Sequence, residues 1–148
     1  MPLEIHTTGP LNPVRAQLAN SRLLHFDLSG LEPSDWAANS ATVLLQTLRA
    51  DNEAKALNER RTIVLVSFPP IRDVNAAAHR GATVQSLRGI VQSVTREFAH
   101  AMHPVNLVAA DGDALDGIVS TIHFLDADNG SYTAGSTIDL TTDEGLFR

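Results

Sequence analysis

The amino-acid sequence predicts an α/β domain in three layers, α/β/α, around a reduced and mostly parallel sheet of about five strands, and three observations lead there. Apolar runs such as Thr62-Ile63-Val64-Leu65-Val66-Ser67-Phe68 are too continuous for strands with one wet face and suit strands covered on both sides. The segments between such runs carry apolar residues at helical spacings of three and four, as Val84, Leu87, Val91, Val94 and Phe98 do. Each connection is long enough for the crossover helix that parallel strands require. With 148 residues, 43% of them hydrophobic and 19% charged, the chain can bury one sizeable core, so residues 1–148 read as a single domain.

Residues 3–7 form the first expected strand, and Gly9-Pro10-Leu11-Asn12-Pro13 ends it, with Asn12 as helix N-cap and Pro13 at the first helical position. A short helix over 13–19 follows, then a buried strand over 23–28 and a turn at Ser29-Gly30. Ser34 suits an N-cap, and Trp36, Val43, Leu44 and Leu48 continue at helical spacing, so a helix runs from Asp35 into the polar stretch 51–59. The strand over 62–68 is β-branched and apolar throughout, which makes it central, and Pro69-Pro70 stops it. Residues 71–80 show no strong pattern. A long helix over 83–102, ended by His103-Pro104, then precedes a buried strand at 105–109, a helix at 115–125 and a last strand at 137–140.

The net charge of −6 and the single Lys, Lys55, argue against nucleic acid and anionic membranes as partners. No apolar run is long enough to span a bilayer. Pro2, Glu4 and His6 stand where a secretory signal carries basic and then apolar residues, so a cytoplasmic protein is expected. The absence of Cys excludes disulfides, thiol nucleophiles and cysteine-ligated metals.

Four segments follow one another as Ile63-Val64-Leu65-Val66-Ser67, the helical stretch Gly89 to Ala99, Val105-Asn106-Leu107-Val108, and Ser131-Tyr132-Thr133-Ala134-Gly135-Ser136-Thr137-Ile138. Glu32-Pro33-Ser34-Asp35-Trp36 precedes them, and Thr8-Gly9 stands nearer the front of the chain. In this order and at these separations the segments resemble a shortened, degenerate short-chain dehydrogenase/reductase, whose fold is Rossmann-like. The resemblance implies oligomers built from the two long helices, here 35–59 and 83–102, and from the last helix and strand.

The same resemblance implies a glycine-rich cofactor loop and a Tyr-x-x-x-Lys pair, and this chain departs from both. Counted from Gly9, the later glycines of the loop are Pro13 and Arg15, so a backbone donor is lost and a bulky side chain stands where the pyrophosphate would pass. Counted back from Arg96-Glu97, the position of the Tyr acid falls on Arg80 and that of its Lys partner on Val84. Arg stays protonated and Val is uncharged, so neither can do the chemistry. The only Tyr, Tyr132, and the only Lys, Lys55, cannot form the pair. Room is also missing for several strands beside the adenosine half of the cofactor, and for the usual substrate lid after Asp111. No catalytic, cofactor-binding or metal residue is therefore expected.

His100 and His103, three residues apart, are read as favourable charges at a helix C-terminus rather than as metal ligands. Asp111, Asp113 and Asp116, and the loop Asp126-Ala127-Asp128-Asn129-Gly130, both lack the calcium-loop pattern. Ser67, Arg80 and Asp111 are candidates for lining a residual cleft at the C-terminal ends of the strands, where open α/β sheets bind ligands. The expected function is that of an inactive reductase-like protein acting through homo-oligomeric or hetero-oligomeric assembly, the second with an active reductase homologue. The alternative is a small-molecule-binding protein or non-redox enzyme that uses the cleft near Arg80 for an anionic group. An atypical NAD(P)-dependent oxidoreductase comes third.

Overall fold

The computed structural model describes residues 11–54, 60–98, 103–127 and 133–142. Strands β1 (Ser21–Asp27), β2 (Arg61–Phe68), β3 (Val105–Asp111) and β4 (Thr137–Asp139) form one sheet in the order β1-β2-β3-β4, and every pair is parallel. This is the α/β architecture expected, Rossmann-like, with four strands rather than about five. The strand expected at residues 3–7 lies outside the described residues. β2 is buried at all of its residues, as its unbroken apolar sequence requires of a central strand.

Strand alternation sorts the core into two layers. Leu24, Phe26, Val64, Val66, Phe68, Leu107 and Ala109 face helices α2 (Trp36–Glu53) and α3 (Val74–Phe98), which bring Trp36, Leu44, Leu48, Leu87 and Val91. Leu23, Ile63, Leu65, Val108 and Ala110 face α1 (Asn12–Gln17) and α4 (Leu115–Asp126), which bring Val14, Ile118, Ile122 and Leu125. Trp36 anchors the first layer: its Nε1 donates to the carbonyls of Leu28 and Leu31, each at 3.1 Å, and its ring meets Phe68 edge-on at 5.3 Å. Among the described residues no helix is long and apolar enough to cross a membrane.

Because the strands are parallel and sequential in space, the face a helix occupies fixes the hand of its crossover. α2 and α3 cover one face and α4 the other, so the β3-α4-β4 connection has the opposite hand to the two before it. Nearly all such connections are right-handed, which makes this last unit the topological exception.

Several element ends differ from expectation for local reasons. α3 starts at Val74, nine residues before the expected Thr83, because the Asp73 side chain accepts from the Ala76 N–H at 2.7 Å and Ala76-Ala77-Ala78 favour helix. Residues 99–102 of the expected helix, His100 among them, lie outside the described residues. Asn12 is already inside α1, whose N-cap is Leu11, and Ser34 lies in a single 3₁₀ turn, Pro33–Asp35, ahead of α2. Neither helix has a side-chain cap. β4 ends at Asp139, one residue short of Leu140.

Candidate functional site

Ser67, Arg80 and Asp111 all reach the C-terminal end of the sheet, but on different sides of it. Asp111 ends β3 on the same face as Leu107 and Ala109, and there it meets Arg80 of α3: Nη1 to Oδ1 is 3.0 Å. Both side chains are largely buried, at 5% and 15% exposure, so the pair is shielded from solvent on most sides. Arg80 Nη2 also donates to the carbonyl of Thr142 at 3.3 Å, and the Thr142 N–H donates to Asp111 Oδ2 at 3.2 Å. A guanidinium, a carboxylate and the backbone beyond β4 thus close one ring of hydrogen bonds. Val84, one turn further along α3, is buried in the core beside it.

Ser67 belongs to the opposite face. It shares the parity of Ile63 and Leu65, and its Oγ lies 2.8 Å from Nε2 of His25 on β1. Both residues are buried. The structure therefore brings Arg80 and Asp111 together and gives Ser67 a different partner. A hydroxyl against an imidazole is the opening of a nucleophile–base arrangement. Ser67 is 5% exposed, however, which leaves its hydroxyl little access to a substrate. Its described environment is that of a satisfied core polar pair.

The Asn of β3, Asn106, is buried and acts on the loop before β4. Its Nδ2 donates to the carbonyl of Thr133 at 2.8 Å and its Oδ1 accepts from the Ser136 N–H at 3.0 Å. Gly135 between them has φ +68°, and a Cβ there would stand 3.1 Å from Thr95 Oγ1, so both conformation and space require glycine. This loop holds β4 against α3 and opens a cleft of about 390 Å³ between them. Gln85, Arg88 and Gln92 line it from α3, and Ser136, Thr137 and Asp139 from the β4 segment. Sequence reasoning did not find the cleft. Its signal was the row Arg80, Val84, Arg88 on one side of the helix, which continues past the buried ion pair to an exposed cation.

His103 is exposed and His100 lies outside the described residues. Among the described residues no group of three or more His, Asp or Glu is placed to hold a metal ion. Tyr132 and residues 128–131 are likewise outside them, and Asp113 and Asp116 are exposed. Asp116 lies in the first turn of α4, where its charge favours the helix dipole, and no side chain caps that helix. No model of a known protein family matches the chain, and no curated protein matches it either.

Proposed function

We propose that this chain is a catalytically inactive protein of the short-chain dehydrogenase/reductase kind, acting in the cytoplasm through assembly. It assembles with its own copies or with an active reductase homologue. The observation that carries the reading is the state of Arg80, at the position where the resemblance places a proton donor. Its guanidinium is held by Asp111 and by the Thr142 carbonyl, in the space a polar substrate group would need. Val84, in place of the activating Lys, is uncharged and packs into the core. The same ion pair weakens the alternative of an anion site at Arg80, because a carboxylate of the chain already occupies it.

Assembly is supported by the corner formed by α4 and β4. Among the described residues β4 is paired on one side only, by β3. Gly117, Thr121 and Phe124 recur at helical spacing on the side of α4 next to Leu140, where a Cβ on Gly117 would touch that side chain at 3.9 Å. Phe124 is 51% exposed there. An exposed aromatic on the last helix and a strand edge paired on one side are the kinds of surface that a second chain covers.

Light scattering over a concentration series tests this together with fluorescence titration of NADH and NADPH. The expected result is an oligomer for the wild-type chain, a smaller species for Phe124→Asp, and no stoichiometric dinucleotide binding. A wild-type monomer at every concentration removes the homo-oligomeric form, and tight stoichiometric NADPH binding removes the reading as a whole.

A further inference from the structure

The cleft between α3 and β4 is built from charges of both signs, and they stand on facing walls. Arg88 comes from α3 and Asp139 from β4. Both are exposed, and the two ion pairs among the described residues are Arg22–Asp51 and Arg80–Asp111, so Arg88 and Asp139 do not neutralise each other. Asp139 is fixed in place: its Oδ1 accepts from the Thr141 N–H at 2.9 Å and from the Thr141 hydroxyl at 2.6 Å, which leaves Oδ2 for another donor. The helix runs antiparallel to the strand, since Gly135 meets Thr95 at one end and Thr142 meets Arg80 at the other. Gln85, Gln92, Ser136 and Thr137 add amides and hydroxyls to the lining.

We propose that this cleft binds a small zwitterion of the α-amino-acid type, its carboxylate on Arg88 and its ammonium group on Asp139. A simple anion would meet Asp139 as a like charge, and a simple cation would meet Arg88, whereas a zwitterion satisfies both walls. The volume of about 390 Å³ lies in the range of small-ligand sites. Val84 is the one apolar side chain in the lining, which selects a polar amino-acid side chain over a hydrophobic one. Thr137 Oγ1 has no hydrogen-bond partner, so rotating toward a ligand would forfeit no existing bond.

Titration of the isotope-labelled full chain with L-serine and with L-glutamine, followed by amide chemical shifts, tests the site. Acetate and ethylamine serve as half-ligands. The expected result is saturable shifts at Gln85, Arg88 and Thr137 with both amino acids, tighter than with either half-ligand. Arg88→Gln and Asp139→Asn should each weaken binding about tenfold or more, the loss of one charge-assisted hydrogen bond, with unchanged circular dichroism. The site is overturned by an absence of saturable shifts with both amino acids, by acetate binding as tightly as they do, or by either variant binding like the wild type.

Discussion

At the scale of single residues, Asp126 ties the end of α4 to the start of β1. Its two carboxylate oxygens accept the N–H groups of Ala19 and Asn20 at 3.0 and 2.9 Å, and its carbonyl accepts Asn20 Nδ2 at 2.8 Å. Arg61, buried beside it, donates to the carbonyls of Leu125 and Ala127. Burial works to raise the Asp126 pKa, but the two backbone donors and the Arg61 charge outweigh it and hold the carboxyl below its ordinary value. The ionised form therefore belongs to the folded state. Its contribution to stability is complete above the unfolded-state value of about 3.9 and is lost as pH falls through the lower folded value. Asp126→Asn presents an amide to N–H donors and should cost about 1–3 kcal/mol near neutral pH. Urea unfolding at a series of pH values checks this: the gap between wild type and variant should shrink below about pH 4. A gap that stays constant down the series would show that the charge of Asp126 contributes nothing.

At the scale of elements, the sequence was informative wherever burial imposed a period and silent where it did not. β2 could be placed to within a residue because all of it is covered on both faces. The first turns of α3 could not, because Val74 is 75% exposed and residues 72–75 face water, so no apolar row marks them. The Asp73 cap was the available signal. Arg80 was legible only through the count back from Arg96-Glu97, and Asp111 as a polar residue just past the strand expected at 105–109. The partner of Ser67 was not, because His25 reaches it only through the register that sets Asp27 opposite Ser67, and register is a long-range property. The α3–β4 cleft depends in the same way on a contact between segments far apart in sequence, made at Gly135. Gly135→Ala should destabilise the protein by about 2 kcal/mol from the left-handed backbone alone, before the contact with Thr95 is counted. Chemical denaturation of Gly135→Ala and of Gly135→Ala with Thr95→Ala separates the two effects. The second substitution should recover only the steric part, and full recovery would mean that the backbone conformation costs nothing.

At the scale of the whole molecule, the sheet is uneven. β1, β2 and β3 pair along seven-residue registers, whereas β3 and β4 pair over three residues. β4 is half-buried to exposed and arrives through the one crossover of opposite hand. It is held by bonds from Leu107 N–H to the Ser136 carbonyl and from Leu140 N–H to the Ala109 carbonyl, and by the Asn106 clamp. Few buried apolar contacts and a short ladder define a unit that opens at lower free energy than the rest. Native-state hydrogen exchange should therefore show the Ile138 and Leu140 amides exchanging through a local opening, while those of Val64, Leu65 and Val66 exchange only with global unfolding. The two functional proposals act on this same unit in distinguishable ways. Assembly through α4 and β4 should raise protection of Ile138 and Leu140 as protein concentration increases, with no small molecule present. An amino acid in the cleft should raise it at fixed concentration, and Arg88→Gln should abolish only that second effect. Equal protection of β4 and β2 amides under all these conditions would contradict the unevenness from which both expectations start.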